Sequence, residues 1–336
     1  MPEPDDFHVP PLDDGGRFPL IDGPSPLHQL PRFTAALKEQ GAAPDLDVWI
    51  KREDLLGLAF GGNKLRNLEY LVGEALAAGA DTLVTAGRRW SNHCRLTAAA
   101  AVRANLACHI VLTGPPLPRP GPNHRLIELL GATVHVTATD ERADRERTVD
   151  RLMTELRAQG RRPHAIGVGG SSEVGAIGQF RAGQELIGQL RANGLMSTSP
   201  TICVPSATGG TQAGLMVALD TPVIGFAVAH PADELRASVR ILAEALARRF
   251  EIGPPGEPIL VDASAPAYGR RSRAADEAAA LLASTEAILA DPVYTAKALA
   301  GLITMARSRD LRGPVVFWHG GGAPGLFEPL DQDPSR

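Results

Sequence analysis

Apolar runs of strand length alternate with segments of helical spacing along most of this chain, and glycine or polar clusters stand at the strand ends. Asp81–Gly87 reads as a buried strand, and the stretch after Ser91 through Asn105 as an alanine-rich helix. Cys108–Leu112, Thr133–Val136 and His164–Val168 read as further strands, separated by helices at Asn123–Leu130 and Asp140–Gln159. A second set follows, with strands at Thr201–Val204, Val223–Val228, Pro258–Val261 and Pro314–Trp318. Its helices lie at Ala176–Asn193, Thr211–Leu219, Pro231–Arg249, Ser272–Thr285 and Ala296–Arg307. Strand–helix–strand alternation of this kind folds into parallel, doubly wound α/β layers. Such sheets bind ligands beyond the carboxyl ends of their strands. Here those ends read Gly87–His93, Gly167–Ser172, Ser206–Thr211 and His319–Gly325, and they can converge on one cleft.

At 336 residues the chain can bury a sizeable core and form two domains. Its net charge of −4 offers no basic footprint for nucleic acid. No apolar run reaches the length of a membrane span. The segment Met1–Asp6 is acidic and proline-rich, unlike a signal peptide, and the reading is a cytoplasmic protein. Three widely spaced cysteines, Cys94, Cys108 and Cys203, fit buried thiols in a reducing compartment better than a disulfide framework. No Cys/His cluster has zinc-ligand spacing, so no metal site is expected.

Lysine is scarce. Only Lys38, Lys51, Lys64 and Lys297 occur among 34 basic Lys and Arg residues. Arginine stays charged and cannot form a Schiff base, so any carbonyl chemistry has four candidates. Lys64 alone follows a glycine pair, Gly61–Gly62, and opens a helical pattern through Leu65, Leu68, Leu71 and Val72. It is either a ligand-facing amine or a solvated lysine near a helix start.

Ser206–Gly214 joins a strand to a helix. Its backbone N–H groups, with Thr208 and Thr211, can hold a phosphate. It lacks the Gly-Lys-Ser/Thr of a nucleotide P-loop, so a smaller phosphorylated cofactor fits better. Ser91–Asn92–His93 opens a helix and is either an N-cap or a carboxylate site. Tyr268 and Tyr294 lie in loops beside turn residues, where a tyrosine is often packing with a bonded hydroxyl.

Taken together, Lys51–Asp54, Gly61–Arg66, Ser91–His93, Thr208–Gly214 and Asp291–Lys297 give five motifs in one order. With them the chain resembles the 1-aminocyclopropane-1-carboxylate deaminase and D-cysteine desulfhydrase family, from Pro24 to Phe327. The resemblance implies a fold-type-II pyridoxal-phosphate enzyme of the tryptophan-synthase-β-like fold, with two three-layer αβα domains. Residues 1–57 and 169–336 would form the larger, cofactor-binding domain and residues 58–168 the smaller, with pyridoxal 5'-phosphate in the cleft between them. A homodimer and a small amino-acid substrate are implied as well.

Position by position, Lys64 matches the lysine that carries the cofactor. Ala207, Thr208, Gly209, Gly210 and Thr211 match the phosphate loop. Asn92 matches the residue that bonds the cofactor's phenolate oxygen, and Ser91 the serine near the substrate carboxylate and α-carbon. Tyr294 and Tyr268 match the pair flanking the substrate side chain, and Thr295 the residue facing the pyridine nitrogen. His93 and Trp90 adjoin the substrate site. The cyclopropane deaminases of the family carry glutamate at the position of Thr295. A neutral threonine makes a weaker electron sink, which favours α,β-elimination of a β-substituted amino acid over ring opening. The expected products are pyruvate, ammonia and the leaving group. Ring opening, β-replacement, racemisation and cofactor binding without turnover remain as alternatives.

The chain departs from the family at two places. Where the family has small, apolar and Gln/Asn residues before the serine, this chain has Arg88, Arg89 and Trp90. Either arginine could bind a second anion, or both could face solvent or a partner. Near the end, the family's His-Thr-Gly-Gly reads His319-Gly320-Gly321-Gly322, one hydroxyl fewer.

Overall fold

The computed structural model describes residues 16–114, 119–139 and 141–330. Met1–Asp6, part of the loop after Gly114, and Asp140 lie outside the described residues.

In chain order the elements begin with β1 (Leu27–Gln29), α1 (Pro31–Glu39), β2 (Asp47–Arg52), α2 (Lys64–Ala77), β3 (Thr82–Arg88) and α3 (Asn92–Arg103). Then come β4 (Ala107–Thr113), α4 (Pro122–Leu129), β5 (Thr133–Thr137), α5 (Arg142–Ala158), β6 (Pro163–Ile166) and α6 (Glu173–Ala192). The second half holds β7 (Thr201–Ser206), α7 (Gly210–Ala218), β8 (Val223–Ala227), α8 (Ala232–Arg249) and β9 (Ile259–Asp262). It closes with α9 (Arg273–Glu286), α10 (Thr295–Arg307) and β10 (Pro314–His319).

Two sheets result. The smaller has the order β5-β4-β3-β6 and is parallel throughout. The larger has the order β1-β2-β10-β7-β8-β9 and is parallel except at its edge, where β1 runs antiparallel to β2. That edge strand has three residues and carries no alternation long enough to read from sequence.

The central strands of both sheets are covered on both faces, which is why they read as continuous apolar runs. In β10, Val315 and Phe317 face a core shared with α1, α9 and α10, through Phe33, Leu282 and Leu299. Val316 and Trp318 face the other side, against Leu186, Leu190 and Leu215 of α6 and α7. The two-residue period of a strand thus divides one sequence run between two cores. In β3, Leu83 packs with Leu65 and Leu96 of α2 and α3, while Val84 and Ala86 pack with Leu152 and Leu156 of α5.

Two differences from the sequence reading bear on the site. Leu20 and Leu56 belong to the core of the smaller sheet, outside the expected range 58–168. The backbone near Leu20 is drawn there by Glu69 of α2, which accepts from the N–H groups of Leu20 and Ile21 and pairs with Arg17. The strand ending near Val168 also stops earlier, at Ile166, because Gly169 and Gly170 turn the chain at φ +70° and +62°.

Candidate active site

Lys64 is the first residue of α2. Gly61 and Gly62 before it have φ of +62° and +125°, a region that only glycine enters freely. A Cβ on Gly62 would stand 3.1 Å from the carbonyl oxygen of Gly320, so the loop after β10 presses directly on the lysine loop. The N–H of Asn63 donates to that same carbonyl at 3.0 Å. Asn63 Nδ2 donates to Thr211 Oγ1 at 2.9 Å, and Gln179 Nε2 donates to the Asn63 carbonyl at 2.8 Å. The residue beside Lys64 is thereby tied to the glycine/threonine loop at the start of α7. Burial pushes the Lys64 amine down to about 8.

The other lysines lie in different settings. Lys38 is exposed in the last turn of α1. Lys51 is fully buried, donating to the Ser25 carbonyl, Gln189 and Glu185. Lys297 donates to the carbonyls of Ser264 (3.1 Å) and Ala267 (2.7 Å), holding the loop that carries Tyr268.

The loop from Ala207 to Thr211 connects β7 to α7 with Gly209 in the left-handed region at φ +87°. No side chain caps α7, so its first N–H groups remain directed at whatever lies beyond the helix end. Ser171 Oγ and Thr208 Oγ1 are 2.5 Å apart, joining this loop to the turn after β6. The Ser206 hydroxyl is buried without a hydrogen-bond partner.

Ser91 caps α3, its Oγ accepting from the Cys94 N–H at 3.2 Å. Asn92 is half-buried and accepts from Arg95, which also reaches the Gly61 carbonyl. His93 is buried. Its Nε2 lies 3.0 Å from Thr85 Oγ1 and its Nδ1 has no partner. Burial, reinforced by the charge of Lys64, pushes the imidazole down to about 3, so it is neutral. Gly170 approaches from the next strand end, where a Cβ would meet His93 Cε1 at 3.4 Å.

Trp90, Tyr268 and Tyr294 form one aromatic cluster. Trp90 meets Tyr268 edge-on at 5.7 Å between centroids, and Tyr268 lies 5.9 Å from Tyr294, their hydroxyls hydrogen-bonded. Burial raises both phenols, Tyr294 the more strongly, so both remain protonated at neutral pH. Tyr294 stands at the N-cap of α10, and Thr295 Oγ1 donates to the Gly321 carbonyl at 3.1 Å. The two arginines part company. Arg89 is buried and donates to the Gly114 carbonyl through Nε and Nη2, tying the end of β3 to the end of β4. Arg88 is half-buried, its guanidinium over Tyr268 at 5.6 Å and over Trp90 at 5.8 Å.

The structure therefore draws the lysine, serine, phosphate-loop and histidine–glycine segments into one region through named contacts. Several supporting residues have no sequence signal of their own: Asn63, Arg95, Ser171 and Gln179 act through partners 28 to 148 positions away. Asp291 opens the Asp291–Lys297 motif, and an Asp before a proline is a turn signal whose carboxylate can bond the backbone just ahead. It accepts from the N–H groups of Val293, Tyr294 and Thr295. Among the described residues no group of His, Cys, Asp or Glu could hold a metal, and the three cysteines are buried and unpaired. No helix there is long and apolar enough to cross a membrane.

Two covered, mainly parallel sheets, with a desolvated lysine and an uncapped helix end beyond their strands, fit the class of fold-type-II pyridoxal-phosphate enzymes. The chain belongs to the pyridoxal-phosphate-dependent enzyme family, which it matches over residues 19–321. It is 40% identical over 328 residues to a D-cysteine desulfhydrase of Klebsiella pneumoniae, covering 93% of this chain and 96% of that protein. It is 39% identical over 335 residues to a D-cysteine desulfhydrase of Salmonella paratyphi A, covering 94% and 98%. A solved structure described as an ACC deaminase homologue superposes with a TM-score of 0.85 at 32% identity, covering 94% of both chains.

The residues present fit the family's cofactor. A phosphate needs N–H donors not spent on a cap, and the first turn of α7 provides them beside the unpartnered Ser206 hydroxyl. An aldehyde needs an amine that can lose its proton, and Lys64 is shifted toward neutral pH.

Proposed function

We propose that this chain is a pyridoxal-phosphate-dependent lyase that carries out α,β-elimination on a small β-substituted amino acid, as the D-cysteine desulfhydrases it resembles do on D-cysteine. The observation that carries the reading is the Asn63–Thr211 hydrogen bond, which joins the lysine loop to the uncapped end of α7. Lys64 would hold the cofactor through Nζ, and Ala207, Thr208, Gly209, Gly210 and Thr211 its phosphate. Asn92 and Thr295 would meet its ring. When bound, the cofactor supplies the sink for the electron pair left at the α-carbon.

The chain's own groups do the rest. Ser91 and the start of α3 bind the substrate carboxylate, with His93 behind them. Lys64, whose amine titrates near 8, can take the α-proton once it is free, and Ser91 is the alternative base. The tyrosine pair stays protonated and can give a proton to the departing β-substituent. Loss of the α-proton and of that substituent leaves an enamine, which water converts to pyruvate and ammonia. Thr295 spends its hydroxyl hydrogen on Gly321 and brings no negative charge to the cofactor ring, which supports elimination over ring opening. We extend the same reading to a two-domain chain with the cofactor in the cleft, to a homodimer and to a cytoplasmic setting.

The test is pyruvate and ammonia release by the holoenzyme from D- and L-amino acids bearing a β-leaving group. The expected result is stoichiometric release of the three products, falling at least about 100-fold in Lys64→Ala. Turnover of Lys64→Ala at the parent rate, or a product that keeps its β-substituent, would contradict the reading.

A further inference from the structure

Arg88 is the residue the proposed reaction leaves unexplained. It ends β3, three positions before Ser91, against one of the two tyrosines that would flank the substrate side chain. It is half-buried, and its guanidinium lies against the rings of Trp90 and Tyr268. Resting on the elimination reading above, we propose that the β-substituent of the natural substrate is itself an oxyanion, such as a sulfonate or a sulfate or phosphate ester, recognised by Arg88.

The side chains gathered here bring several donors to one place. Arg88 has only N–H groups. The Trp90 indole N–H bears on the Tyr268 hydroxyl and holds that ring in the cluster. Of the two hydroxyl hydrogens on Tyr268 and Tyr294, one is used within the pair and one remains to donate outward. The carboxylate whose charge reaches Tyr294 is Asp291, and it is engaged by three backbone N–H groups at the start of α10. The cluster is also built around the tryptophan. Gly269 has φ +75°, and a Cβ there would fall 2.1 Å from Trp90 Cζ2, so the indole occupies the place of a side chain at position 269.

The chemistry follows from the placement. The proton on the α-carbon passes to the base, a Cα–Cβ double bond forms, and the bond from Cβ to the substituent breaks. The electron pair leaves with the substituent, which departs as sulfite, sulfate or phosphate with one more negative charge than it had when bonded. A cation beside it therefore stabilises the departing group more than the bound substrate, which raises turnover as well as affinity. Arg88 is in this account a specificity-determining residue that touches the substituent.

The test compares serine O-sulfate with β-chloroalanine on the holoenzyme, reading the ratio of their kcat/KM values. The ratio is expected to fall at least about 30-fold in Arg88→Ala, the effect of removing one partner of a half-buried charge pair. Arg88→Lys should recover part of it, and Trp90→Phe should lower it less. A ratio that Arg88→Ala and Arg88→Lys leave unmoved would overturn the proposal. A second arm separates this inference from the reaction assigned above. The affinity of the holoenzyme for 2-amino-3-phosphonopropionate and for 2-aminobutyrate is read from the cofactor absorbance. Tighter, Arg88-dependent binding of the phosphonate without pyruvate release from any substrate would keep the anion site and reject elimination. Equal binding of the two amino acids would overturn the anion site.

Discussion

His93 shows what burial beside a cation does to one side chain. Its imidazole is neutral when folded, because burial first and the Lys64 charge second push it down to about 3. Once unfolded it titrates near 6.5. Between those values the unfolded chain binds the extra proton, so the contribution of His93 is fully present above pH 6.5 and is lost as pH falls. By linkage this group alone removes about 2 kcal/mol of stability between neutral pH and pH 5. Urea unfolding of the parent and of His93→Gln at pH 7 and pH 5 checks it. The difference between the two pH values should be smaller by about that amount in the variant, and an equal difference would reject it. His109, His124 and His135 are lowered in the same direction by burial, so the parent retains some slope from them. None of this was legible in the sequence, where Ser91–His93 marked a helix start but gave no burial.

Among the elements, α10 depends most visibly on one residue. Asp291 accepts from three backbone N–H groups at its start, including those of Tyr294 and Thr295. Asp291→Ala should cost about 1–2 kcal/mol in urea unfolding and lower kcat, since both site residues hang from that turn. Asp291→Asn, which keeps one acceptor oxygen, should recover most of the stability. The helix and strand periods made most elements readable, most plainly in the central strands β3, β4, β7, β8 and β10, which are largely buried. Elements without such runs were not readable. The three-residue β1 is one, and the end of β6, read two residues too long to Val168, is another. The candidate site was legible where motif and chemistry coincide, at Lys64 and at Ala207–Thr211. It was not legible where a side chain acts through a distant partner, as Asn63 does on Thr211.

Across the whole molecule, a buried ionic network joins the helix that bears Lys64 to the larger sheet. Lys51 on β2, Glu53 just after it, Arg66 on α2 and Glu185 on α6 are interlocked. Burial opposes the charge on Glu185, but the bonds from Arg66 and Lys51 outweigh it and hold the carboxyl below its usual range. Glu185→Ala would leave the buried Lys51 without its paired carboxylate while Arg66 keeps Glu53, and should cost about 3 kcal/mol in chemical unfolding, whereas Glu185→Gln should cost less. No spacing rule relates Lys51, Arg66 and Glu185, so the network belongs to tertiary structure alone. Close approach of α2 and α6 allows it, since a Cβ on Gly178 would stand 1.9 Å from the Arg66 carbonyl oxygen. In the function proposed above, all of this serves to hold the Lys64 amine near the uncapped end of α7. The most direct measurement of that claim is borohydride reduction of the holoenzyme followed by peptide mass mapping. The account predicts the pyridoxyl adduct on the peptide containing Lys64, and an adduct on Lys38, Lys51 or Lys297 instead would contradict it.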